Sequence, residues 1–221
     1  MKLLKALVLI CILMIPVLIY LFLRTFGENH YSVPVFYESG LSTIYGDCPS
    51  DSTQYLVPNF SLTNQSNQVI EGTSLNDKIT IVDFFFTSCP SICPIMSSQM
   101  ERVQDAFKDN PNIQILSVSV DPTYDSVEVL KSYAQKHQAI DGFWHFLTGD
   151  KDNIYELATC GFALPTIDGN GDPDEFVHSD KFVLVDKERR IRGYYSGTNR
   201  EEVDRLILEI KILLYEYNLA E

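Results

Sequence analysis

Two cysteines stand four residues apart in "FFFTSCPSICPIMSSQM", which runs from Phe84 to Met100. Each is followed by proline, and the pair falls between an aromatic run and a stretch with helical spacing. In a helix, or a tight turn ahead of one, an i, i+4 spacing sets both sulfurs on one face. The start of a helix also supplies unpaired backbone N–H groups and a positive dipole end, and both favour thiolate over thiol. A thiolate is the nucleophile of disulfide chemistry and equally a soft metal ligand. Free cysteine is also a common core filler, but two Cys-Pro steps at a strand-helix junction are hard to explain as packing. Proline favours the first helical position. The regular helix is therefore expected to begin at Pro94, leaving Cys89 to Cys93 as a shaped loop.

The elements that must position this pair alternate along the chain. "KITIVDFFFT" (78–87) is a near-continuous apolar run, the mark of a central strand covered on both faces. Ile95, Met100, Val103 and Phe107 mark a helix from the cysteines to about Lys108. "NIQILSVSVD" (112–121) reads as a second strand, and "DSVEVLKSYAQKH" (125–137) as an amphipathic helix capped by Asp125 or Ser126. "FWHFLTG" (143–149) is a short strand and "DKDNIYELATCG" (150–161) a helix. A hairpin follows, with strands at 181–186 and 190–195, and then a terminal helix over 198–217 opened by Thr198 or Asn199. The order β-α-β-α-β-α-β-β-α predicts an α/β fold with a mixed sheet flanked by helices. This is the thioredoxin-like order, and it puts the cysteines between the first core strand and the first core helix. Residues 56–221 are assigned to this domain, and the irregular, Gly-, Pro- and Ser-rich stretch 28–55 to a linker and lead-in.

A third donor would separate metal binding from plain thiol chemistry. His30 lies in the linker, His137 at a helix end, and His145 within a short strand, where a hydrogen-bonded, partly buried ring is expected. His178, in "DEFVHSDKFVLVD", sits in a loop three residues before a core strand. In this fold that loop faces the N-terminus of the first core helix, so His178 is the histidine placed to approach both cysteines. Two thiolates and an imidazole suit Cu(I), and hold Cu(II) with an added ligand. Zinc would want a fourth ligand.

"FFFTSCPSICPIM", "SVSVDPTYDSVEVLKSYA", "WHFLTGD" and "VHSDKFVLVD" together resemble the SCO/SenC family of copper-binding thioredoxin-like proteins, over roughly residues 56–217. The resemblance implies that Cys89, Cys93 and His178 bind one copper ion. It further implies a metallochaperone that assists assembly of the copper centre of cytochrome c oxidase, as copper donor, thiol reductant or both. Asp121, in "SVDP", is by the same resemblance a docking or outer-sphere candidate; a turn or cap residue is the plain reading. Copper binding and transfer require no turnover, so this reading does not require an enzyme.

Asp83 pulls toward a rival. It precedes Cys89 by six residues, which resembles the buried aspartate of thioredoxins that takes the proton of the second cysteine. A carboxyl within "IVDFFF" is expected to have a raised pKa through desolvation. An extracytoplasmic thiol-disulfide oxidoreductase would use the same cysteine pair, with Asp83 as proton acceptor. Thioredoxins, however, have two residues between their cysteines, and this chain has three. A peroxidase reading fits poorly, because Thr87 is only two residues ahead of Cys89. The acidic "DGNGDPDE" (168–175) lacks the calcium-loop spacing and reads as a solvated loop. Cys48 and Cys160 belong to no motif; they form a disulfide tying the lead-in to the body, or remain separate thiols.

At the N-terminus, Ala6 to Leu23 carries no charge, and no small-residue cleavage site follows it. Residues 1–27 therefore read as an uncleaved membrane anchor. Lys2 and Lys5 precede the apolar run and only Arg24 follows closely, which puts the N-terminus in the cytoplasm and the rest outside. A bacterial inner membrane with a periplasmic domain is expected. The net charge of −13 disfavours a nucleic-acid partner.

Overall fold

The computed structural model describes residues 2–26, 32–37, 48, 55–164 and 179–217. They fall into two units, Met1–Ser32 and Val33–Glu221. The first unit is helix α1, Lys2–Phe26, with Pro16 inside it. Counting described side chains alone, no helix is long and apolar enough to cross a membrane.

The second unit opens with a hairpin of β1 (Ser61–Asn64) and β2 (Val69–Glu71). Asn64 shapes its turn: the side-chain oxygen accepts the N–H groups of Ser66 and Gln68, and Asn67 adopts a φ of 59°, a conformation asparagine tolerates better than most residues. The alternating pattern does not include this hairpin. Strands of four and three residues are too short to display a period.

The core strands β3 (Ile79–Phe85) and β4 (Ile113–Ser119) are buried at every position and pair in parallel from Ile79↔Ile113 to Phe85↔Ser119. β5 (Trp144–Thr148) extends the sheet beside β4 in parallel, and β1 adds to β5 antiparallel. On the other side of β3, the hairpin of β6 (Lys181–Val185) and β7 (Ile191–Ser196) is antiparallel. The sheet order is β2-β1-β5-β4-β3-β6-β7, the expected mixed sheet with one more hairpin at its edge. Helix α2 (Ile92–Phe107) begins two residues ahead of Pro94. The first-turn N–H groups of a helix have no partner inside it, so a proline in the third position costs no hydrogen bond. α3 spans Val127–Lys136 with Ser126 as its cap. α4 (Lys151–Glu156) is capped by Asp150 and runs into a π-helical turn, Leu157–Gly161. α5 (Arg200–Glu216) is capped by Asn199 and packs against α2.

Three ties fix the lead-in to this body. Cys48 and Cys160 form a disulfide that spans 112 residues of sequence, and the Tyr55 hydroxyl donates to the Cys160 carbonyl. This decides the question that the sequence leaves open. Farther upstream, the buried Arg192 guanidinium donates to the carbonyls of Val33 and Pro34 while it pairs with Asp186 at 2.9 Å and Glu216 at 3.0 Å. The Val33 N–H completes the clasp by donating to Glu216 at 2.8 Å.

Candidate functional site

β3 and β4 run parallel, so both release their chains at the same edge of the sheet. Loops beyond the carboxyl ends of parallel strands are where α/β proteins commonly build sites. The two chains stay joined just past the strands, where the Val120 N–H donates to the Phe85 carbonyl at 2.8 Å. The β3–α2 loop then turns back, with the Cys89 N–H on the Phe86 carbonyl at 3.3 Å. Cys89 sits in this turn and Cys93 in the first turn of α2; both are buried and both are free thiols.

Their acidities diverge. Burial pushes the Cys89 thiol up, but the N–H groups of Cys93 and Ser91 point at its sulfur. Together with the Cys93 thiol and the Ser91 hydroxyl, they bring it below the ordinary thiol value. The Ser91 oxygen lies 3.8 Å from the sulfur. Burial pushes Cys93 far up, and the neighbouring Cys89 and Asp83 add to this against an opposing hydrogen bond from the Phe86 backbone. Of the two, Cys89 is the more acidic thiol and Cys93 the one that holds its proton more tightly.

Behind them lies a buried group of five residues with polar side-chain atoms, Asp83, Ser117, Trp144, Tyr133 and Ser97. Asp83 is 3% exposed, and burial raises its carboxyl to about 7 against the hydrogen bond from Ser117. The Ser117 hydroxyl donates to Asp83 at 2.5 Å and accepts the Trp144 indole N–H at 2.9 Å. Tyr133, 2.9 Å from the Ser97 hydroxyl, is shifted up by burial first, against the Ser97 hydrogen bond, and then by Cys93 and Asp83, which marks it as their neighbour.

The Asp83 carboxyl binds its proton more tightly in the folded chain than at the ~3.9 of a free aspartate. Between about pH 4 and about pH 7 the folded state holds the extra proton, so stability falls as pH rises through that window. Three units amount to at most ~4 kcal/mol. Asp83→Asn is expected to flatten this slope in the reduced protein, as read from urea unfolding at pH 5 and pH 8. An unchanged slope would show that Asp83 does not titrate there.

The remaining sequence candidates separate clearly. Asp121 is half-buried and closes a turn: its carboxylate accepts the Tyr124 N–H at 3.4 Å, and its carbonyl accepts the Asp125 N–H at 2.9 Å. His145 is buried, 3.3 Å from the Asn64 side chain. His137 ends α3 with its ring 2.7 Å from Glu101. His178, His30 and the acidic run 168–175 lie outside the described residues. Among the described residues, no cluster of three or more His, Cys, Asp or Glu side chains is placed to hold a metal ion.

One residue escapes the sequence reading. Asp125 was expected as a possible cap of α3, but Ser126 takes that place by accepting the Val129 N–H. Asp125 is instead fully buried beside the cysteine loop, bound to Thr87 and Ser119. The signal was a carboxylate one position ahead of a serine that can cap by itself.

Two free thiols of opposed acidity, at a strand-helix junction on a mixed sheet of this order, define a thioredoxin-like dithiol protein. The SCO1/SenC family model matches residues 49–214, and the chain belongs to that family. It is 31% identical over 163 residues to the SCO1 protein homolog of Bacillus subtilis (strain 168), covering 73% of this chain and 84% of that one. The solved structure of BsSco, described as a member of the Sco family of cytochrome c oxidase assembly proteins with a disulfide switch, is 30% identical. It covers 75% of this chain and 96% of its own, with a TM-score of 0.64. ScoI of Bradyrhizobium japonicum, solved with copper bound, is 26% identical with a TM-score of 0.55, covering 69% of this chain and 98% of its own.

Proposed function

We propose that this protein is a copper metallochaperone that binds one copper ion through Cys89, Cys93 and His178 and serves assembly of the cytochrome c oxidase copper centre. The observation that carries the reading is the pair of free thiols of opposed acidity held at one helix start. Family membership supports it, as do the copper bound in Bradyrhizobium japonicum ScoI and the assembly role stated for BsSco. The donor chemistry fits: two sulfurs, one already inclined to thiolate, are a soft pair suited to Cu(I). In this reading the chain's work is to hold both sulfurs close under a proline-edged loop, to release the Cys93 proton, and to exclude water by burial. The copper ion is cargo, delivered to an extracytoplasmic copper protein. Residues 1–27 anchor the chain in a bacterial inner membrane, with the amino terminus cytoplasmic and the domain periplasmic.

One observation favours a second use of the same sulfurs, as a thiol-disulfide reductant. The buried Asp83 carboxyl neighbours Cys93 and is raised to about 7. In that step the Cys89 thiolate attacks a target disulfide to form a mixed disulfide and expel one target thiolate. Cys93 passes its proton to Asp83 and its thiolate attacks the Cys89 sulfur. The second target thiolate leaves, so the target gains two electrons and Cys89–Cys93 becomes a disulfide.

Competition titration of the reduced full-length protein with Cu(I), beside His178→Ala, separates the two. One-to-one binding that weakens at least about tenfold in the variant, the least expected for a lost ligand, supports the three-ligand site. Equal affinity in both proteins would remove His178 from the ligand set, and weak binding in both would leave the reductant reading in its place.

A further inference from the structure

The buried carboxylate of Asp125 has three donors and no cation. Thr87 gives it two hydrogen bonds, its N–H at 3.1 Å and its hydroxyl, and the Ser119 hydroxyl gives a third at 2.5 Å. Among the described residues, no Lys, Arg or His pairs with it. A buried carboxylate without a counter-ion is costly, and the N-cap role that commonly justifies an aspartate at such a position belongs to Ser126.

What the carboxylate joins is specific. Thr87 lies two residues before Cys89, in the loop between β3 and α2. Ser119 ends β4, and its hydroxyl oxygen also accepts the Asp121 N–H at 3.1 Å. Asp125 itself returns its N–H to the Asp121 carbonyl at 2.9 Å. A continuous chain of hydrogen bonds thus runs from the cysteine loop through Asp125 and Ser119 to the Asp121 turn. The N–H groups of Ser91 and Cys93 reach the Cys89 sulfur only if this loop keeps its course.

We propose that Asp125 is the positioning residue of the dithiol, holding the Thr87–Cys89 segment in the geometry that stabilises reduced Cys89 and tying it to the turn that carries Asp121. The inference rests on the reading of Cys89 and Cys93 as the working pair. The bonds through Asp125 are present with both thiols free, and in this reading they loosen when the pair closes. Removing them therefore costs the reduced form, and the couple moves toward the disulfide.

The test equilibrates the full-length protein and its variants in dithiothreitol redox buffers. Thiols are then trapped, and the peptide containing Cys89 and Cys93 is read by mass. Asp125→Ala is expected to shift the equilibrium constant toward the disulfide about tenfold, ~30 mV for a two-electron couple. Asp125→Asn keeps an oxygen for the Thr87 N–H and the Ser119 hydroxyl and offers an N–H to the Thr87 hydroxyl oxygen. It is expected to stay within about twofold of wild type, because geometry rather than charge is at issue. Thr87→Val removes one bond without emptying the site, so it serves if Asp125→Ala fails to fold; its expected shift is about threefold in the same direction. Folded Asp125→Ala or Thr87→Val with the wild-type constant, or Asp125→Asn behaving like Asp125→Ala, overturns the positioning role. A wild-type pair that never closes reversibly overturns the working-pair reading itself, and the role of Asp125 with it.

Discussion

Replacing Cys93 with serine is expected to abolish the thermal stabilisation that Cu(I) confers on this protein. A ligand that binds only the folded state adds about 4 kcal/mol at a free concentration about a thousand times Kd. At about 2–4 °C per kcal/mol for a chain of this size, the wild-type midpoint should rise by about 8–16 °C. Serine is nearly isosteric, but its hydroxyl is a hard, protonated donor with little affinity for a soft ion. Cys93 also sits inside the first turn of α2, where its backbone N–H serves the Cys89 sulfur. The substitution leaves that N–H in place, so the loss isolates the second sulfur from the shape of the loop. The measurement is a pair of melting curves, with and without buffered Cu(I), for each protein. Because a serine at a site 2% exposed can lower the baseline by itself, the copper-induced difference is the quantity to compare. A variant that keeps the full difference would show that Cys93 is no ligand.

The second large effect is on stability alone. Cys48→Ala together with Cys160→Ala opens a loop of 112 residues that encloses β1 to β5 and α2 to α4. Closing a loop that long limits the unfolded ensemble severely, and losing the closure should cost about 2–5 kcal/mol. Urea unfolding of the double variant against the oxidised wild type gives the difference directly. The copper-induced rise in melting temperature should survive in the double variant, since Cys89 and Cys93 are separate from this bond. A loss below about 0.5 kcal/mol would mean that the Tyr55 and Arg192 ties already hold the lead-in without the disulfide, since that is the size of an ordinary surface change.

The core was legible because physics writes it redundantly. β3 and β4 must be apolar throughout when both faces are covered, and "ITIVDFF" and "IQILSVS" have no other use. Asp83 stood out for the same reason, as a lone carboxyl in such a run. The edge hairpin was illegible because its short strands rely on Asn64 and on pairing with β5, neither of which leaves a periodic trace. Pro94 misled by two residues, since a proline is as free of cost at the third helical position as at the first. Asp125 and Arg192 were missed because their value lies in several partners joined at once, Thr87 38 positions from Asp125 and Val33 159 from Arg192, which one sequence does not display. His178, proposed as the third donor, was read from its place in the loop before β6 and from family resemblance, and it lies outside the described residues.

The Arg192 clasp has a mechanical consequence. It gathers Val33 and Pro34 onto Asp186 and Glu216, beside the β6–β7 turn. That turn adjoins the start of β3, where the Asp77 N–H meets the Lys187 carbonyl, whereas the cysteines follow its end. Tension on the lead-in is therefore borne first by a buried ion pair at one end of the sheet. The full length of a seven-residue strand separates that load from the sulfurs.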